Sequence, residues 1–120
     1  MSKGKRPRAL VPRFRAFVGE DNVLGPGKVD LLAAIDELGS LAAAARALDM
    51  SYMRAWQLMR AMNDDFRAAL VEVERGGSAR GGAHLTPTGR RVLLLYREIE
   101  DAARAAARPG WQRLRRLLRD

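Results

Sequence analysis

Three features of this 120-residue chain predict a mainly α fold with a small β component, in which a helix-turn-helix carries a β-hairpin wing. Two helical patterns between Ser40 and Phe66 are separated only by Asp49-Met50-Ser51. Alternating residues then flank a glycine-rich segment from Arg75 to Gly82, the pattern of a hairpin. Last, Thr86-Pro87 opens a long helix with more apolar surface than one small core needs, which predicts a dimer.

Ser40 is a good N-cap for the first helix of the pair, Leu41 to Leu48, whose alanines favour helix and allow close packing. Asp49 tolerates a left-handed backbone, Met50 can turn inward, and Ser51 can cap a second helix starting at Tyr52. At 100° per residue that helix gathers Tyr52, Ala55, Trp56, Met59, Met62 and Phe66 on one side, the expected core face. The opposite side carries Met53, Arg54, Gln57, Arg60, Ala61 and Asp64. The second helix of such a motif offers its N-terminal outer residues to base edges in the major groove, where Arg and Gln make bidentate contacts. Ser51, Arg54 and Gln57 are therefore the leading candidate DNA contacts, with Met53 and Arg60 on the same face. A solvated face of an ordinary helical hairpin is the competing reading, and the segment that follows bears on the choice.

Leu70 to Glu74 alternates like a strand, and Ala83-His84-Leu85 can return beside it. The tip between them would lie along phosphates or a minor groove, with glycines permitting close approach and Arg75 and Arg80 supplying charge. The GGSARGG run has neither the phosphate-loop spacing nor the dinucleotide fingerprint, so a nucleotide cradle is not expected.

Upstream, residues 1–12 are basic, broken by Pro7 and Pro12, and lack an apolar period, so they read as a flexible arm. Arg13 to Val18 alternates as a short strand, Glu20-Asp21-Asn22 reads as a turn, and Gly25-Pro26-Gly27 precedes a helix from Lys28 to Leu38. Val29, Leu32, Ile35 and Leu38 form its inward stripe, and Gly39 ends it. Downstream, the helix from Pro87 is expected to run to Arg108, and its candidate dimerisation residues are Val92, Leu95, Tyr96, Ile99 and Ala103. Packing of those residues on the chain's own first strand and helix is the alternative. Pro109-Gly110 is expected to end the helix, leaving Trp111, Leu114, Leu117 and Leu118 on a separate basic amphipathic helix within 109–120. The expected organisation is an arm (1–12), a winged helix-turn-helix domain (13–108) and that last helix.

The net charge of +8 sits at the ends. Residues 1–15 hold six basic side chains and no acid, residues 104–120 hold six arginines and one acid, and 16–103 hold ten basic and thirteen acidic residues. Phosphate contacts position a protein and base contacts specify, so basic tails and a nearly neutral reading head are compatible. There is no cysteine and one histidine, which excludes disulfides and thiolate or multi-histidine metal sites. No apolar run approaches a membrane span, and the N-terminus lacks a secretory signal, so a soluble cytoplasmic protein is expected. An enzyme is not expected, and no catalytic residue is assigned. Asp36/Glu37 and Asp64/Asp65 are adjacent pairs pointing in different helical directions, and one histidine supports no convincing Ser/His/Asp arrangement. The alternative function is a protein-interaction or membrane-surface adaptor using the basic tails and the Trp111 helix.

Taken together, GKVDLLAAIDELGSLAAAARALDMSYMRAW (Gly27 to Trp56), MNDDF (Met62 to Phe66), LVEVERGGSARGGAHLTPTG (Leu70 to Gly89) and LLLYREIE (Leu93 to Glu100) resemble the DNA-binding domain of ModE-type molybdate-responsive transcriptional regulators, which are related to LysR-type regulators. The resemblance covers roughly residues 13–105. It implies a dimeric winged helix-turn-helix that binds double-stranded DNA, with Ser51, Tyr52 and the outer face of the following helix at the duplex. Asp49 departs from the glycine common in such turns. The family's full-length regulators continue into a molybdate-binding domain where these 120 residues end, so the resemblance implies a regulator without that sensor, and no cofactor or small-molecule ligand is assigned.

Overall fold

The computed structural model describes residues 6–74 and 82–119. Strands β1 (Ala16–Val18) and β2 (Asp21–Leu24) pair antiparallel. Three helices follow, α1 (Pro26–Leu38), α2 (Leu41–Ala47) and α3 (Tyr52–Asp65). The wing strands β3 (Val71–Val73) and β4 (Ala83–Leu85) form a second antiparallel pair before α4 (Pro87–Arg115).

The first hairpin corrects the expected turn at Glu20-Asp21-Asn22. The chain reverses one step earlier, with Gly19 at φ 61, and Asp21 already pairs with Val18. A left-handed residue is what a tight reversal needs, and glycine reaches it without strain. Pro26 occupies the first helical turn of α1, and Gly39 closes the helix at φ 73 by donating its N–H to the Ile35 carbonyl at 2.8 Å. Val29, Leu32 and Ile35 are buried as expected, but Leu38 is 43% exposed and Leu31 and Ala34 face inward instead.

Both serines act as N-caps. Ser40 Oγ accepts from Ala43 N at 2.9 Å and Ser51 Oγ from Arg54 N at 3.0 Å, each satisfying a donor that the helix leaves open. Asp49 adopts φ 56 between α2 and α3, the only non-glycine residue with positive φ among the described residues. The core is built from Leu31, Leu32, Ile35, Leu41, Met59, Met62, Leu70 and Tyr96, all essentially inaccessible.

The wing is fastened at its base. Asn63 of α3 accepts from Leu70 N and Val71 N and donates to the Val71 carbonyl, at 2.8, 3.1 and 3.0 Å. Ala83 N donates to the Gly39 carbonyl at 2.9 Å, tying β4 to the α1–α2 corner. Thr86 caps α4 through Gly89 N and also donates its hydroxyl to the Ala69 carbonyl at 2.6 Å.

The expected helix end at Pro109-Gly110 is overturned, because α4 runs unbroken to Arg115. A proline inside a helix removes the bond to the carbonyl four residues back, here that of Ala105. Ala105 and Pro109 are both exposed, so water can take that carbonyl, and the alanine- and arginine-rich stretch before Pro109 favours helix. Residues 109–115 therefore continue α4 rather than form a separate helix. At about 1.5 Å per residue, α4 is roughly 43 Å long.

Candidate nucleic-acid interface

The helix-turn-helix presents α3 with one face anchored and the other open. Ala55, Met59 and Met62 are buried on the α1–α2 side, and Trp56 and Phe66 are partly buried against the same core. Tyr52, expected to face the core, is instead 54% exposed at the start of the helix. The reason is positional. A side chain in the first turn of a helix leans back past the helix start, where no turn of its own helix lies beneath it.

Ser51, Met53, Arg54, Gln57 and Arg60 are all exposed, as expected of the outer face. With Tyr52 they form a continuous surface of donors, acceptors and apolar groups along the N-terminal turns of α3. That composition can read base edges: Arg and Gln make bidentate contacts, and Met and Tyr offer apolar surface to a thymine methyl. Arg75 and Arg80, the expected wing contacts, lie outside the described residues. The strands that frame them are in register, Val71 opposite Leu85 and Val73 opposite Ala83.

The expected dimerisation residues separate into two groups. Leu95 is 42% exposed and Ile99 50% exposed, and Ala103 is also exposed although it lies two turns beyond Tyr96 and close to that residue's direction. Tyr96 is a correction: it is only 1% exposed, its ring stacks on Phe14 with centroids 4.0 Å apart, and its hydroxyl donates to the Phe14 carbonyl at 2.8 Å. Val92 likewise packs partly against the chain's own core. The alternative, packing on the chain's own body, thus holds for these two: Tyr96 lies against Phe14, in the segment leading into β1, and Val92 lies against the core. The outward stripe of α4 is instead Leu95, Ile99, Ala102 and Ala106, spaced three and four residues apart, with Leu94 54% exposed beside it.

Sequence reasoning missed Arg15, Asn22 and Lys28, which with Arg54 and Gln57 line a cleft of about 470 Å³ between the first hairpin, the start of α1 and α3. One signal was available. Lys28 lies in the first turn of α1, where a cation opposes the helix dipole unless a carbonyl or an anion receives it. Among the described residues no group of three or more His, Cys, Asp and Glu could hold a metal, and no helix is long and apolar enough to cross a membrane.

An anchored reading helix, a braced wing and an outer helix face rich in planar donors define a regulatory winged helix-turn-helix. Residues 27–90 match the family described as bacterial regulatory helix-turn-helix protein, lysR family, and the chain belongs to that family. It is 46% identical over 77 residues to the molybdenum-pterin-binding protein MopB of Rhodobacter capsulatus, covering 64% of this chain and 28% of MopB. It is 36% identical over 92 residues to the molybdenum transport protein ModE of Azotobacter vinelandii, covering 73% of this chain and 34% of that one. The chain thus matches about a third or less of the length of these relatives. Among solved structures, the DNA-binding domain of CbnR in complex with DNA superposes with a TM-score of 0.54 at 30% identity, over 70% of this chain and 92% of that domain. Full-length CbnR complexed with its target DNA gives 0.53 at 29% identity, over 70% of this chain and 28% of CbnR.

Proposed function

We propose that this chain binds double-stranded DNA sequence-selectively as a homodimer and serves as the DNA-reading part of a transcriptional regulator, with α3 in the major groove. The observation that carries the reading is the outer face of α3. Arg54 and Gln57 stand exposed one turn apart while Ala55, Met59 and Met62 fix the helix from behind. The likeness to a DNA-binding domain solved on its duplex supports it. The exposed stripe of Leu95, Ile99, Ala102 and Ala106 supports pairing through α4, which would set two reading helices on half-sites about one turn, roughly 34 Å, apart.

Selection of bound duplexes from a random pool, followed by titration on the enriched sequence, tests the reading. The expected result is a two-fold-symmetric enriched sequence and salt-sensitive binding. Arg54→Ala and Gln57→Ala should each lose about 1–3 kcal/mol on that sequence and relax the preference at particular base pairs. An unenriched pool, or a base preference that survives Arg54→Ala intact, overturns the assignment of this face.

A further inference from the structure

Positive charge on the described surface is matched unevenly. Arg13 reaches Asp30 at 2.6 Å and Glu100 at 3.9 Å, Arg90 pairs with Asp36 at 2.9 Å, and Arg104 pairs with Asp101 at 3.1 Å. Arg15, Lys28 and Arg54 make no such pair with a described carboxylate, and all three line the cleft of about 470 Å³ between β1–β2, the start of α1 and α3. Asn22 and Gln57 add neutral donors, and no acidic side chain lines the cleft.

Two of the cations are held in place before any partner arrives. Lys28 Nζ donates to the Asn22 carbonyl at 2.7 Å, which fixes the ammonium beside the hairpin. The Arg15 stem packs over the Gly25 backbone so closely that a Cβ on Gly25 would lie 3.2 Å from Arg15 Cγ. Three cations with neutral donors and no carboxylate suit a phosphate diester, whose oxygens accept charge-assisted hydrogen bonds from guanidinium and ammonium groups. Location narrows the source of that diester. Arg54 and Gln57 belong both to the cleft and to the outer face of α3, so an anion seated there lies at the edge of whatever groove α3 enters.

We infer that this cleft takes a backbone phosphate of the DNA strand flanking the half-site, with Arg15 and Lys28 as its phosphate contacts, distinct from base reading by Arg54 and Gln57. The inference rests on the DNA-binding reading proposed above and extends the interface to the first hairpin. Arg15 and Asn22 lie outside the residues matched to the family, 27–90.

The test measures affinity against salt for the full 120-residue chain, on the selected duplex and on a scrambled one. Arg15→Gln, Lys28→Gln and their double variant are compared with Arg97→Gln, which makes the same charge change on α4 away from the cleft. Each cleft variant is expected to weaken both duplexes alike, by roughly five- to tenfold at 0.1 M salt, and to lower the slope of log K against log salt by about 0.9. The double variant should lose about twice that slope, Arg15→Lys should restore most of it, and Arg97→Gln should leave it unchanged. Wild-type slopes in the cleft variants, on a duplex that the wild type does select, overturn the phosphate contact and leave the DNA reading standing. A wild type that selects no duplex overturns both. Calorimetric titration with inorganic phosphate adds the remaining arm: saturable binding lost in the double variant, with DNA slopes unchanged, would reassign the cleft to a free anion and overturn the inference.

Discussion

Gly89 shows how closely the wing and α4 are pressed together. A Cβ there would lie 2.0 Å from the Leu70 carbonyl oxygen and 2.9 Å from its carbon, both backbone atoms that cannot swing aside. The same carbonyl accepts from Thr86 N at 2.9 Å, so moving it would break the seam that holds the wing to α4. Gly89→Ala should destabilise the domain by about 2–3 kcal/mol, read as a lower urea midpoint at unchanged slope. Tyr96 is buried as tightly, and burial, then the nearby Glu100 carboxylate, push its phenol above the ordinary value of 10.0. A folded-state pKa above the unfolded one means that the native state holds its proton longer. The stabilisation is therefore complete below pH 10 and is lost as pH rises through the raised value. Denaturation midpoints measured from pH 9 upward should fall beyond pH 10 in the wild type, and this component should vanish in Tyr96→Phe.

Helix α4 turns one face to the core and leaves another open. Its first half belongs to the core through Gly89, Leu93 and Tyr96, while the outward stripe of Leu95, Ile99, Ala102 and Ala106 has no partner within the described chain. Ile99→Asp places a charge in the middle of that stripe, where a paired helix would have to desolvate it. Sedimentation should then show a monomer at micromolar concentration, with DNA affinity reduced and the monomer still folded. Pro109 belongs to the other half. Pro109→Ala restores a donor for the Ala105 carbonyl at an exposed site and should raise stability by about 1–3 kcal/mol and keep or raise helical content. Unchanged helical content and stability in this variant would mean that the helix breaks near residue 109 after all.

Over the whole molecule, charge and shape divide the work of binding. The +8 net charge is gathered at the two ends of the chain, whereas the segment between them is slightly acidic. Residues 6–9 line a concavity with Trp111, Leu118 and Arg119, so Arg6 and Arg8 lie beside the basic end of the chain rather than at the opposite pole. Arg13 fastens the start of the domain to α1 and α4 through Asp30 and Glu100. Deleting residues 1–12 should weaken binding to every duplex and flatten the salt dependence, with base preference intact. Loss of preference on that deletion would show that the segment reads sequence rather than attracts phosphate.

Local chemistry was enough for much of this protein. Ser40, Ser51 and Thr86 cap helices through their own hydroxyls, Asp49 takes the left-handed turn, and the outer face of α3 follows from a 3.6-residue period, because each of these depends on neighbours a few residues away. The winged order of elements was legible for the same reason. Tertiary structure alone decided where the apolar surplus of α4 goes. Tyr96 and Leu95 are adjacent and both apolar enough for either face, and Tyr96 is the one that meets Phe14, 82 residues away in sequence, and joins the core. The passage of α4 through Pro109 was not legible either, because Pro109-Gly110 reads locally as a helix end while α4 continues to Arg115. The cleft of Arg15, Lys28 and Arg54 is of the same kind. Its charges come from three elements and no single stretch contains it, so only the docking of the first hairpin beside α3 brings them together.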